Sequence, residues 1–458
     1  MFGTKRTRYK SERNIEIAIC RAAQAEPGNE ERKTISERVL MPDHREANNL
    51  NTTGATSRFS SQQWGLLLLL AAINFTHILD FVIVMPLGDP LRQQLHITPK
   101  QFGMVVSAYG IAAMLMGIVS SSVVDLFDRK TILIVSFGGF ALATFYCGMA
   151  PNYMHLLIAR CLAGLFGGMA SSCVMAVIGD VFTDRQRGRA IGVVTSSFAV
   201  ASTIGLPIGL WLAIYFGNWN APFVAIGFLA ICVWVLSLIC LPSMTGHRTG
   251  VRNNPLRQFM AVIRQSNHRW AFAFMLATVF GTFIIVPYIA PFMQANCGRT
   301  AEDLPVIYAV AGICTLITLN IVGWATDRFG AKPMFLICAG GAVIMTLIIT
   351  NLSSISLLSA TLVTTLFMIL ASGRIIPAQA MILRASDPSL RGAFMNLNTS
   401  VSHFGTAVGP LITGSIVGEE YAGGPLTGFA LAGLIAAACG CTALVFSFRL
   451  RSFRSANL

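Results

Sequence analysis

Charge is what this chain has least of. Only 12% of its 458 residues are Asp, Glu, Lys or Arg, while 54% are hydrophobic, and an ordinary soluble domain carries about 25% charged residues. That scarcity excludes an ordinary soluble globular protein. It leaves apolar runs of at least 18 residues that recur from Trp64 to Phe448, each long enough to cross a hydrocarbon layer of about 30 Å. Other absences narrow the class. The sequence has no Gly-x-x-x-x-Gly-Lys-[Ser/Thr] loop, no Gly-x-Ser-x-Gly turn and no cluster of metal-ligating residues. ATP-driven pumping and hydrolase chemistry therefore have no support, and no enzymatic activity, metal or cofactor is expected. The 11 cysteines lie mostly inside apolar runs, only Cys20 and Cys297 clearly outside them, so they form no disulfide framework.

The first 60 residues lack an apolar signal-peptide core and hold 11 Lys/Arg against 8 Asp/Glu, which reads as a disordered tail. Met41, close before the first span, offers an alternative start. Breaking the apolar runs at charged and Pro/Gly clusters gives twelve spans, near 64–86, 102–124, 131–149, 155–179, 190–215, 221–241, 270–293, 304–326, 333–351, 356–380, 392–417 and 427–448. The fold class is an all-α polytopic membrane protein.

Charge also sets orientation. Of 33 Lys and Arg, only Arg92, Lys100 and Arg299 fall in loops on one side, and Arg160 and Arg374 fall inside spans. The other 28 lie in the two tails and the loops sharing their side, so both termini are expected in the cytoplasm. The formal charge of +13 then needs no nucleic-acid partner. The longest internal loop, 242–269, is basic and holds no acidic residue. It divides the chain into a tail 1–60, six spans within 61–241, six within 270–448, and a tail 449–458. The halves resemble each other: a shift of 202 lays Asp125 on Asp327, and a shift of 204 lays Arg187-Gly188 on Arg391-Gly392 and Gly205 on Gly409. Two pseudo-symmetric six-helix bundles are the economical reading, with a substrate site at their interface near mid-membrane.

The loop after span 8 reads Gly323-Trp-Ala-Thr-Asp327-Arg328-Phe-Gly330-Ala-Lys332-Pro333. Gly330 can take positive φ, Pro333 opens the next helix, and Asp327 and Arg328 are placed to hydrogen-bond helix ends across the loop. This motif resembles that of the major facilitator superfamily, whose loop between helices 2 and 3 follows G-x-x-x-D-R-x-G-R-[RK], with a weaker copy between helices 8 and 9. Here the second copy is the better one; the first, from Ser121, keeps Asp125, Arg129 and Lys130. The resemblance implies that both loops act as conformational latches. Arg160 to Gly168, Gly179-Asp180-Val-Phe, Arg374-Ile-Ile-Pro-Ala and Arg391-Gly-Ala-Phe-Met-Asn396 make the texture most similar to the bacterial arabinose efflux permease and twelve-helix drug:proton antiporter branch. The helix 5 export signature is degraded to Ala201-Ser-Thr-Ile-Gly205-Leu-Pro207-Ile-Gly209.

Polar residues inside the spans are the candidate site. Asp80 lies about six residues, roughly 9 Å, from the outer end of span 1, and Arg160 about five residues, roughly 7 Å, from the same end of span 4. The two match in depth, and in the resembling family helices 1 and 4 are neighbours, so an Asp80 with Arg160 pair is expected. Asn74, His77 and Asp80 recur at three-residue steps on one side of span 1. Asn396, Thr399 and His403 recur at three- and four-residue steps on one face of span 11, and Arg374 lies in span 10. Proton coupling is assigned to Asp80, Arg160 and His77, a structural ion pair that exchanges no protons being the other reading. A substrate cavity is assigned to Asn74, Arg374, Asn396, Thr399 and His403. The expected function is proton-coupled efflux of a small organic solute, drug or sugar-like, by a monomer in the bacterial inner membrane. A proton-coupled importer of the same fold and a non-transporting membrane sensor or assembly factor are the rivals.

Overall fold

The computed structural model describes residues 59–123, 128–241, 255–387, 390–421 and 424–453. The expected tail before Phe59, Met41, Asp125 of the first latch loop and the first half of the basic linker lie outside these residues. Helix α1, Ser61–Ile83, starts where Ser60 and Gln63 bond each other's backbone amides in a capping box. The same exchange between Thr98 and Gln101 opens α3, Pro99–Val123. Between them the chain forms a short helix α2, Gly88–Leu95, which the hydropathy reading does not foresee. Then come α4, Arg129–Cys147, and α5, Tyr153–Val181, the latter capped by the Asn152 side chain.

Span 5 is not one continuous α-helix. It consists of α6, Asp184–Thr195, α7, Ser197–Val200, a wide π turn at Ala201–Gly205, and α8, Leu206–Tyr215. Pro207 supplies the reason: it has no N–H to donate and its ring crowds the carbonyl four residues back, so the preceding turn widens. Helix α9 is Ala221–Cys240. The linker contains a helix, α10, Pro255–Arg264, absent from the hydropathy reading, and α11, Ser266–Ala295, follows it. The second half continues with α12, Leu304–Phe329, α13, Ala331–Ile349, and span 10 split at Arg374 into α14, Leu357–Gly373, and α15, Ile375–Ala385. Helix α16 is Arg391–Ile416 and α17 is Phe429–Arg449. A two-stranded antiparallel hairpin, β1 Gly418–Glu419 and β2 Leu426–Thr427, joins them. Asn296, at the end of α11, pins it by bonding the Leu426 amide and carbonyl at 2.9 and 3.0 Å.

Among the described residues, eleven helical segments are long and apolar enough to cross a membrane. The remaining expected span is α16, whose 26 residues are long enough at 1.5 Å each but carry Arg391, Asn396, Asn398 and His403. Packing follows two groups. Helices α3, α4, α5, α9 and α1 associate in the first half; α11, α16, α17, α13, α14 and α12 associate in the second. An extensive interface runs between the groups, α3 on α16. It is made of small residues: a Cβ on Gly103 would collide with Pro410, one on Gly110 would sit 2.9 Å from the Ala407 Cβ, and one on Gly117 would sit 3.4 Å from the Ser400 hydroxyl. Span 5 packs on α12 in the same way, Gly312 lying against the Thr203 backbone. Large apolar side chains such as Leu68, Ile239, Ile321 and Val445 point outward, as lipid contact requires.

Candidate functional site

Asp80 and Arg160 meet. The carboxylate Oδ2 accepts from Arg160 Nη1 at 2.8 Å, the same nitrogen also reaches the Asp80 backbone carbonyl at 3.2 Å, and both side chains are wholly buried. The guanidinium carbon stands 4.6 Å above the Tyr109 ring, a cation–π contact. His77, one helical turn before Asp80, lies among aromatic rings, 5.7 Å from each of Tyr109 and Phe140. Neither of its ring nitrogens has a hydrogen-bond partner. Three glycines of α5 make room for this arrangement. Gly164 and Gly168 press against the α3 backbone at Tyr109 and Ala113, while the atoms nearest Gly167 belong to the side chains of His77 and Tyr109.

The polar side of α1 divides in two. His77 and Asp80 enter this cluster, whereas Asn74 turns away and donates to the Val194 carbonyl at 3.0 Å, tying α1 to α6. The residues grouped as a substrate cavity divide as well. Asn396, Thr399 and His403 line a cavity of about 150 Å³ between α3, α5 and α16, together with Gly117, Ser171 and Ser400. Among the described residues its walls are hydroxyls, one amide, one imidazole, the Met175 thioether and small apolar groups, with no carboxylate and no Phe, Tyr or Trp. Asn74 and Arg374 are not among its walls. Arg374 is 4% exposed and points to α11, donating to the Thr278 carbonyl at 3.0 Å and to the Thr282 hydroxyl. It makes no ion pair among the described residues.

The two loops behave differently from each other. Arg129 opens α4 and its Nε donates to Asp180 at 3.0 Å, joining α4 to the end of α5; Lys130 follows it in the first turn. In the second loop Gly330 adopts φ +96° and ends α12. The expected bonds from Asp327 and Arg328 across the loop do not form. Arg328 instead lies over the Trp324 and Phe329 rings of its own helix, and Lys332 stands 4.2 Å over Phe448. The cause is geometric: Asp327 and Arg328 are still helical, so their side chains project from α12 before the turn begins. Gly323 faces open space.

One charged contact escaped the sequence reading. Arg92 on α2 pairs with Asp89 at 3.7 Å and with Glu419 of the hairpin, and its side chain is only 5% exposed. Nearby, the Tyr288 hydroxyl of α11 donates to the Pro99 carbonyl at 2.7 Å. These contacts fasten the two groups of helices where α1 ends and α16 ends. Burial raises the Asp89 carboxyl above its ordinary range while Arg92 pulls it down. Arg92 counted only toward orientation in the sequence; a charge in a short loop that topology does not need was the available signal.

The fold has solved counterparts. A bacterial homologue of the human lysosomal transporter Spinster, in an inward-facing and occupied conformation, superposes with a TM-score of 0.67 at 16% identity, covering 87% of this chain and 99% of that one. The nucleoside transporter NupG gives 0.64 at 15%, covering 84% and 100%. In sequence, the MFS-type transporter YceJ of Bacillus subtilis is 26% identical over 359 residues, 76% of this chain and 88% of its own. Multidrug resistance protein 2 of the same organism is 22% identical over 361 residues, 77% and 89% respectively. The family model described as Major Facilitator Superfamily matches residues 70–370 and 271–457. With transmembrane helices on both sides of a small-residue interface and a family match spanning nearly all of them, this chain is a multi-pass membrane transporter, not an enzyme, and it belongs to the Major Facilitator Superfamily.

Proposed function

We propose that this transporter exports a small organic solute from the cytoplasm in exchange for protons, by alternating access as a monomer in the bacterial inner membrane with both termini cytoplasmic. The observation that carries the proposal is the Asp80–Arg160 pair, wholly buried at 2.8 Å inside a membrane-spanning bundle. Ionisable groups at that depth are costly, and they persist where they bind or move ions. Protonation of Asp80 frees Arg160, so one proton changes the cohesion of α1 and α5. A proton driven by about 100 mV supplies roughly 2.3 kcal/mol, enough for a solute gradient of about 50-fold at 1.4 kcal/mol per tenfold. Export is supported by the multidrug resistance proteins among the relatives. The cavity bearing Asn396, Thr399 and His403 is the substrate chamber in this reading; Arg374 braces α11.

Everted membrane vesicles containing the full chain test the proposal, with ethidium as the fluorescent solute and an imposed acid interior as the drive. Ethidium accumulation above that of vesicles lacking the protein, lost in Asp80→Asn, is the expected result. Accumulation that persists in Asp80→Asn removes Asp80 from the coupling. Accumulation driven only by an acid exterior makes the protein an importer.

A further inference from the structure

Around the ion pair the protein leaves a group of buried polar atoms without partners of its own. They are both ring nitrogens of His77, Oδ1 of Asp80, the hydroxyls of Tyr109 and Thr144, and Nε and Nη2 of Arg160. These residues share one place. The Arg160 guanidinium lies between Asp80 and the Tyr109 ring, and the His77 ring adjoins Tyr109 from the other side. Thr144 reaches toward the Asp80 carboxyl without closing a hydrogen bond. Buried polar atoms in native interiors are paired with protein or with internal water.

Gly167 sets this place apart from ordinary helix packing. A Cβ there would sit 2.7 Å from His77 Cδ2, 2.9 Å from the Tyr109 hydroxyl and 3.0 Å from His77 Nε2. Its neighbours Gly164 and Gly168 are filled by the α3 backbone, so helix contact explains them. At Gly167 the nearest atoms are instead side-chain ones, the His77 ring and the Tyr109 hydroxyl. Gly168 and Ala113, one turn along α3 from Tyr109, also line the cavity, and His403 in its wall is within electrostatic range of His77. The charged and titratable groups facing the cluster are Asp80, Arg160, His77, Tyr109, Cys147 and His403.

We infer that His77, Tyr109, Thr144 and the Asp80–Arg160 pair hold a buried water cluster, about two or three molecules at roughly three hydrogen bonds each, which conducts protons between the cavity and Asp80. The absent side chain of Gly167 lets His77 and Tyr109 stand where they do, and a methyl there would displace them. The proton-conducting role rests on the proposed coupling; the water site does not.

The test needs no transported solute. Full-length protein in liposomes is exposed to millisecond X-ray pulses, whose hydroxyl radicals arise at bound water and mark adjacent side chains, read by peptide mass spectrometry. His77 and Tyr109 are expected to be modified several-fold faster than Phe137 and Phe274, which are buried in the apolar clusters. Gly167→Ala should bring them down to that background, Tyr109→Phe should lower His77 without a packing change, and Gly179→Ala, in open space on the same helix, should alter nothing. Background rates at His77 and Tyr109 in the native protein overturn the water site. Infrared spectra during exchange from alkaline to acid buffer supply the second arm, with the Asp80 carboxyl band identified by its loss in Asp80→Asn. A band that forms more slowly in Gly167→Ala supports conduction, and an unchanged rate overturns it. A band that never forms overturns the coupling proposal and the conducting role while the water site stands.

Discussion

Removing one member of the buried pair separates a structural from an incidental contact. In Asp80→Asn the Arg160 guanidinium keeps its 3.2 Å bond to the Asp80 carbonyl and its position over Tyr109, but it loses its carboxylate partner. Breaking a buried pair in this way costs about 3–5 kcal/mol, and a desolvated cation–π contact of about 2 kcal/mol places the expected loss near the lower bound. Arg160→Met leaves a carboxyl that neutralises itself by taking a proton, so its cost should be smaller and should shrink further in acid. The double variant removes both charges and should recover most of the loss, giving a coupling energy of about 2–3 kcal/mol. Unfolding of the full chain in SDS titrations, followed by the fluorescence of its six tryptophans, measures all four corners of the cycle. Additive single effects, or a loss in Asp80→Asn below about 0.5 kcal/mol, would refute the reasoning.

Three further outcomes follow from other contacts. Gly168→Ala places a methyl 2.8 Å from the Ala113 carbonyl oxygen, backbone that cannot swing aside, and should cost about 1–3 kcal/mol in the same titration, while Gly179→Ala should be neutral or stabilise by about 0.5–1 kcal/mol. Glu419→Gln weakens the grip on Arg92, so spin labels at Gln93 and Tyr421 should show a longer-distance population enlarged about tenfold if 1.4 kcal/mol of bias is lost; unchanged distances would show that the clasp holds nothing shut. Burial pushes the Cys297 thiol up to about 11, which favours the unreactive neutral form. Its labelling by a membrane-impermeant maleimide should therefore be slow at neutral pH and rise about tenfold per pH unit until the thiol ionises, whereas a flat rate between pH 7 and 10 would contradict the burial.

Depth was legible before any coordinates because a spanning helix is a ruler. Counting residues from the ends of two spans put Asp80 and Arg160 at one level, and the family resemblance supplied their adjacency. Rotation about the helix axis was not legible. Asn74 shares a face with His77 and Asp80 by spacing, yet its amide finds the Val194 carbonyl, a backbone group no pattern of side chains reveals. Arg374 was assigned to a cavity for its charge, and the hydroxyl and carbonyl of α11 that hold it carry no sequence signature either. Tyr109 was missed for a different reason: an aromatic residue in an apolar run reads as packing until a guanidinium is found above it. The short elements, α2 and the hairpin, escaped because hydropathy windows tuned to 18 residues or more average them away.

The seam of small residues between α3 and α16 has a consequence for how the two halves separate. Where Gly103, Gly110 and Gly117 meet Pro410, Ala407 and Ser400, small groups abut small groups, so these surfaces can part without a long side chain changing rotamer. Lipid offers no hydrophobic penalty for exposing such a surface either. A joint of this kind is smooth but indifferent: it sets no preference between shut and open. The preference must then be written in the few polar fastenings at its end, Arg92 with Glu419 and Tyr288 with Pro99, each a bond of modest strength. An equilibrium held by so few bonds is one that a single proton or a single bound solute can tip.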